Sequence, residues 1–136
     1  KYMSNKTFHG WEDIEMAVSD LCYKVKDESF EAIYGIPRGG LIIAIMMSHK
    51  LDIPLITSLK GMYGKKFLIV DDIADTGKTL ERHKKLEVCD KAKYATIDYH
   101  KQSVVVPDYW ISEKGDKWIV YPWECNDSKE IQDYLV

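Results

Sequence analysis

The chain has 136 residues, 46% of them apolar and 30% charged, with a formal net charge of −3 at neutral pH. This length suits one domain with a real core and is too short for two. The mild acidity argues against a nucleic-acid surface, where a basic face is expected, although one local site can still hold an anionic nucleotide. The longest apolar run, 41–47, falls far short of a membrane span, and the polar stretch 1–10 does not read as a secretion signal. Cys22, Cys89 and Cys125 are odd in number and widely spaced, without metal-ligand spacing. Thiols in a reducing compartment are the expectation, hence a cytoplasmic protein with no membrane partner.

Residues 11–26 carry Trp11, Ile14, Val18, Leu21, Cys22 and Val25 at helical spacing, with acidic residues between them. This predicts an outer helix packed on a sheet, with Trp11 as a core anchor. Residues 30–36 read as the first central strand, which runs into Pro37-Arg38-Gly39-Gly40. Residues 41–51 then form an almost wholly apolar helix, and 52–56 enter a short strand. In the 37–40 turn, two glycines permit a compact loop of converging amides, and Arg38 adds a fixed cation for anionic oxygens. A polar connection, 57–66, leads to the most informative stretch.

Residues 67–80 read Phe-Leu-Ile-Val-Asp-Asp-Ile-Ala-Asp-Thr-Gly-Lys-Thr-Leu. The apolar run 67–70 predicts a strand buried on both faces, as in a parallel sheet. Asp71 and Asp72 stand where that strand should end, and Asp75 to Thr79 supply an N-cap, two hydroxyls and a glycine before a helix over 76–88. Free amides at a helix start favour a phosphate, and Gly77 lets the backbone approach it. The two carboxylates suit ribose hydroxyls or a divalent cation. Gly77-Lys78-Thr79 looks like the tail of a P-loop, but the glycine that motif requires five residues earlier is Asp72 here. His83, within Arg82-His83-Lys84-Lys85, reads as a surface residue. A strand over 94–99 follows, and then two aromatic-rich segments, 107–111 and 117–124, flank a Lys-Gly-Asp turn. Trp118 offers a face for a planar ring, Lys101 a donor for an exocyclic oxygen, and the backbone at Ile119 an edge for the opposite side. Trp110 and Trp123 read as core. Strand and helix alternate, so the expected fold is α/β with a right-handed parallel sheet, and no internal repeat or linker divides it.

The stretch 67–80 resembles the phosphoribosyl-pyrophosphate (PRPP) signature of the type I phosphoribosyltransferases: an apolar strand, two acidic residues, two variable residues, then Asp-Thr-Gly-x-Thr. Residues 94–124 extend the resemblance to the small xanthine-guanine and hypoxanthine phosphoribosyltransferases of bacteria and archaea. The resemblance implies a single domain over 1–136, with a Rossmann-like core at about 11–100 and a small C-terminal hood mostly at 101–136. It implies Mg²⁺-dependent transfer of 5-phosphoribose from PRPP to a 6-oxopurine, releasing pyrophosphate, in purine salvage. Asp71 and Asp72 would hold ribose hydroxyls or the metal, and Thr76, Gly77, Lys78 and Thr79 the 5′-phosphate. Arg38, Gly39 and Gly40 would hold pyrophosphate, and Asp75 would accept the proton at N7. Lys101 would meet the 6-oxo group, with Trp118 and Ile119 completing the base site. A homodimer or homotetramer is implied by the family alone. The connection 57–66 is shorter than the family's mobile hairpin, so either the hood or a neighbouring subunit excludes water or the enzyme is slow. The alternatives are a phosphoribosyltransferase for another base, a PRPP-sensing regulatory protein and a PRPP-synthetase-like structural subunit. The acidic charge weighs against a sensor acting on nucleic acid, and the last would need a chain about twice as long.

Overall fold

Phe67, Leu68, Ile69 and Val70 are all completely buried, as a strand covered on both faces requires. The computed structural model describes residues 6–125. In chain order its elements are β1 (Lys6–Phe8), α1 (Trp11–Val25), β2 (Ile33–Gly35), α2 (Gly39–Leu51), β3 (Leu55–Ile56), β4 (Leu68–Ala74), α3 (Lys78–Lys84), a 3-10 turn (Glu87–Cys89), β5 (Lys93–Tyr99), β6 (Ser112–Glu113) and β7 (Trp118–Val120). The main sheet has the order β3-β2-β4-β5-β6, and every pairing in it is parallel. A second, two-stranded parallel sheet joins β1 to β7. The start of the described chain is therefore tied into the region expected to form the hood. The part of that expected hood beyond residue 125 lies outside the described residues. Among the described residues no helix is long and apolar enough to cross a membrane.

Two apolar layers cover the main sheet. On one side Ile14, Val18 and Leu21 of α1 and Ile43 and Met47 of α2 pack on Leu68 and Val70. On the other, Leu80, Val88 and Met62 pack with Phe67 and Ile69. Each large side chain buried in this way contributes about 1.5–3 kcal/mol of transfer free energy. The α1 stripe lies as its spacing predicts, with one correction: Trp11 is 54% exposed. It is the first residue of α1, and its ring meets Trp123 at 6.0 Å.

Two element boundaries and the placement of one side chain differ from the sequence reading. β4 does not stop at Val70 but carries Asp71 and Asp72 on to Ala74, because β5 continues the ladder beside it as far as the pair Ala74 and Tyr99. Aspartate is a poor strand former, and tertiary pairing overrides that preference. The expected helix over 76–88 breaks into α3 and the 3-10 turn. His83 is half-buried rather than on the surface: its Nδ1 lies 2.8 Å from Thr79 O and its ring meets Tyr34.

At the opposite end of the strands from Asp71, Glu28 fastens three segments together. It accepts a hydrogen bond from Tyr109 Oη at 2.5 Å and pairs with Lys66 at 2.9 Å and Lys93 at 3.4 Å. The hydrogen bond from Tyr109, with those from the lysines, pulls the Glu28 carboxyl down from 4.5 to about 2. A carboxylate depressed in the folded state stabilises above its unfolded value, and that contribution is lost as pH falls through the folded one. Glu28→Gln should therefore flatten the acid limb of the stability curve between pH 4.5 and about 2. Urea unfolding at a series of pH values reads this directly, and equal slopes in the two proteins would refute it.

Candidate active site

The cleft opens at the carboxyl ends of the central strands, where loops in a parallel α/β sheet converge on a ligand. Its volume is about 540 Å³, within the range of small-molecule sites. The wall includes Arg38 and Gly39 from the first loop, Asp71 and Asp72 from β4, and Asp75, Thr76, Gly77 and Thr79 from the second loop. Trp118 and Ile119 of β7 face them.

The two glycines of the first loop are there for want of space. A Cβ on Gly39 would collide with the Asp72 carboxylate, and one on Gly40 with Val70 O. Gly39 thus brings the loop backbone against the acidic pair, while Gly40 is buried behind the wall. The Pro37–Arg38 peptide is cis, and Arg38 is exposed at the cleft mouth.

Asp71 and Asp72 are 3% and 6% exposed. Asp71 Oδ1 accepts the Asp72 amide at 2.9 Å, which orients the first carboxylate. Among the described residues no group of three or more His, Cys, Asp or Glu forms a metal cage. Two carboxylates nevertheless fit Mg²⁺, which takes the rest of its shell from water and substrate phosphates.

In the second loop Gly77 adopts φ +81°, and a Cβ there would strike Ser103 Oγ. The Val104 amide donates to Thr76 O at 2.8 Å, so the segment after β5 is laid directly on this loop. The same segment reaches Asp75, whose Oδ1 accepts from Gln102 Nε2 at 3.0 Å. Lys78 is exposed and lies off the cleft wall, unlike its neighbours Thr76, Gly77 and Thr79.

Lys101 does not join the cleft. Ser103 is buried against the second loop and Gln102 reaches it through its bond to Asp75, while Lys101 beside them is exposed and lies off the cleft wall. The lysine on the wall is Lys114, at the Lys-Gly-Asp turn, which the sequence alone marks as no more than a turn. Its side chain is 7% exposed, and Nζ lies 3.4 Å from Asp75 Oδ2 and 5.3 Å from the Trp118 ring centre. Tyr121 and Trp123, stacked at 5.1 Å, also line the cleft. Trp123 is therefore both a packing residue of the core and part of the wall. The pattern Trp-Ile-Val-Tyr-Pro-Trp carried the signal for both, since Tyr121 and Trp123 continue the segment that holds Trp118. Trp110 packs on Tyr99 away from the cleft.

Behind Tyr121 lies a buried chain of polar groups. Tyr121 Oη donates to Asp98 Oδ2 at 2.8 Å and lies 3.2 Å from Asp72 O, while His9 Nε2 reaches the same Asp98 oxygen at 2.9 Å. Burial and the neighbouring carboxylates of Asp72 and Asp98 keep the Tyr121 phenol protonated well above its usual range. The Asp98 hydrogen bond raises the His9 imidazole above 6.5, with burial opposing it and the charges of Asp98 and Asp13 assisting. A histidine raised in the folded state contributes its full stabilisation below its unfolded value and loses it as pH rises through the folded one. Wild-type stability should therefore decline across the range just above pH 6.5, and His9→Ala should remove that decline. Thermal unfolding at pH 5.5 to 8.5 measures it, and parallel curves for the two proteins would count against the His9–Asp98 pair.

Similarity to known proteins agrees with this geometry. Residues 56–128 match the phosphoribosyl transferase domain. A xanthine-guanine phosphoribosyltransferase of Idiomarina loihiensis is 30% identical over 148 residues, covering 90% of each chain. Its counterpart in Desulfotalea psychrophila is 30% identical over 135 residues, covering 84% of this chain and 83% of that one. Among solved structures, a purine phosphoribosyltransferase of Pyrococcus horikoshii superposes with a TM-score of 0.80 at 33% identity, over 93% of this chain and 99% of that one. The chain belongs to the phosphoribosyltransferase family of enzymes.

Proposed function

We propose that this enzyme transfers 5-phosphoribose from PRPP to a ring nitrogen of a 6-oxopurine, giving a nucleoside monophosphate and pyrophosphate. The observation that carries the reading is the meeting, in one cleft, of the acidic pair Asp71 and Asp72, the Thr76–Gly77–Thr79 loop, the Arg38–Gly39 loop and the Trp118 ring. These are the four chemistries the reaction requires: hydroxyl binding, phosphate binding, leaving-group binding and a face for the base. The relatives named for xanthine and guanine support a purine acceptor.

Thr76 and Thr79 hydroxyls and the loop amides hold the 5′-phosphate, with Lys78 at the loop's outer side as a long-range cation. Arg38 and the amide of Gly39 receive pyrophosphate, and Gly40, whose own amide donates to Ile36 O at 2.9 Å, lets the loop pack against β4 behind them. Asp71 and Asp72 hold the ribose hydroxyls, and their negative charge favours the cationic sugar as the glycosidic bond breaks. Mg²⁺, held through Asp71 and Asp72, would neutralise charge on the leaving pyrophosphate. The base lies against Trp118, with the Ile119 backbone at one edge and Asp75 at the other, where Asp75 takes the N7 proton. A lysine ammonium at the 6-oxo group completes this arrangement. Assembly as a homodimer or homotetramer in the cytoplasm belongs to the same reading.

The test is nucleotide formation with PRPP and Mg²⁺ across hypoxanthine, guanine, xanthine, adenine and uracil. Product is expected from at least one 6-oxopurine and should vanish on chelation of the metal. PRPP binding with no product from any base would point instead to a sensor. Asp75→Asn should lower kcat by roughly 10²-fold or more with little change in the KM for PRPP. Thr79→Val should instead weaken PRPP binding by roughly 10-fold. Identical behaviour of the two variants would sink the division of roles.

A further inference from the structure

We infer, given the transfer proposed above, that His9 is a positioning residue for it: acting through Asp98 and Tyr121, it seals the hood over the reacting sugar and so decides between the base and water as acceptor. His9 follows β1 and lies off the cleft wall. Its amide donates to Val120 O at 2.9 Å, which continues the β1–β7 pairing. Its ring meets that of Tyr121 at 5.4 Å, and its Nε2 donates to Asp98 Oδ2 at 2.9 Å. Two residues on, Trp11 meets Trp123 at 6.0 Å. The segment 6–11 thus touches both members of the Tyr121–Trp123 stack in the cleft wall. Its far end is fixed, because α1 continues from it and packs Ile14, Val18 and Leu21 into the core. β7 shares no ladder with the main sheet, so its place over the acidic pair depends on side-chain bonds and packing.

The Tyr121 hydroxyl is the strut between the two halves. It stands 2.8 Å from Asp98 Oδ2 and 3.2 Å from Asp72 O, which joins the hood to the β4 residue proposed to hold the ribose. Asp98 is 2% exposed and Tyr121 3%. A buried carboxylate that loses a donor recovers its hydrogen bonds by admitting water. Water that enters in place of the His9 imidazole arrives directly behind the ring that walls the cleft. The consequence is chemical. As the bond between ribose C1 and the pyrophosphate oxygen breaks, pyrophosphate leaves with the electron pair and C1 becomes electrophilic. Attack by a ring nitrogen of the base gives the nucleotide. Attack by a water oxygen, with loss of a proton, gives ribose 5-phosphate and consumes PRPP without product.

A His9 of purely structural value would lower stability on its removal and leave this partition alone. The partition is therefore the quantity to read, as pyrophosphate and nucleoside monophosphate measured in the same reaction with PRPP, Mg²⁺ and saturating hypoxanthine or guanine. His9→Leu removes the donor to Asp98. Tyr121→Phe removes the hydroxyl and keeps the stacked ring. His9→Gln puts an amide donor close to the place of Nε2, whereas the shorter His9→Asn cannot reach Asp98 and stands in for His9→Leu if that variant fails to fold. His9→Leu and Tyr121→Phe should each raise the excess of pyrophosphate over nucleotide by roughly 10-fold or more, with the KM for PRPP within about twofold of wild type. His9→Gln should restore the wild-type partition. Because both residues act through one carboxylate, the double variant should leak little more than Tyr121→Phe alone. A wild-type partition in both single variants, measured well below their unfolding temperatures, would overturn the inference and leave the proposed function standing. So would a His9→Gln enzyme as leaky as His9→Leu. A wild-type protein that forms no nucleotide from any 6-oxopurine would overturn the proposed function itself, and the inference with it.

Discussion

Four buried carboxylates set the terms for the structure around them. Asp71, Asp72, Asp75 and Asp98 are all less than a tenth exposed and gather at one end of β4 and β5. A carboxylate taken out of water is costly unless hydrogen bonds or opposite charge compensate it. The compensation here comes largely from outside the main sheet. Gln102 and Lys114 of the loops after β5 and β6 serve Asp75, and His9 at the end of β1 and Tyr121 after β7 serve Asp98. The apolar layers would hold a parallel sheet together without these segments. The acidic end of the sheet would not be tolerated without them. The small β1–β7 pairing matters for this reason: it carries His9 at one end and Tyr121 at the other to the same carboxylate.

The core and the first half of the site were legible in the sequence because each depended on local signals. The run 67–70 is too apolar for any place but a doubly covered strand. The succession Asp75 to Thr79 can hardly be other than a turn into a helix, and the double glycine at 39 and 40 marks a close approach of backbones. The family resemblance rested on the same residues. What failed depended on contacts distant in sequence. The ladder with β5 draws Asp71 and Asp72 into β4, a pairing that no local propensity announces. Trp11 has the spacing of a core residue, but as the first residue of its helix it stays exposed beside Trp123. The lysine facing the cleft could not be read either. Lys101 and Lys114 lie in comparable polar turns, and the choice between them turns on which neighbours the second loop captures. It captures Gln102 and Ser103, through Asp75 and Gly77, and so turns Lys101 away.

The close contacts at Gly39 and Gly77 join subsites that the sequence presents as separate motifs. Gly39 sets the first loop against Asp72, and Gly77 sets the second against Ser103 and Val104. A displacement of either loop would therefore be felt at the carboxylates or at the hood. The connection 57–66 takes no part in this linkage. It makes two tight turns with Gly61 and Gly64 at positive φ, and Met62 is buried in the core cluster on the α3 side. Lys66 at its end is held by Glu28. The segment leaves the carboxyl end of β3, on the cleft side of the sheet, and is pinned at both its middle and its end as it crosses to the start of β4. In the reaction proposed here, the burden of keeping water from a cationic sugar then falls on what already stands over the cleft, the stacked Tyr121 and Trp123 with Trp118 beside them. Tyr121 is suited to that place because its hydroxyl is committed inward to Asp98. Its ring can form an apolar part of the wall beside the acidic pair while its own hydroxyl stays satisfied.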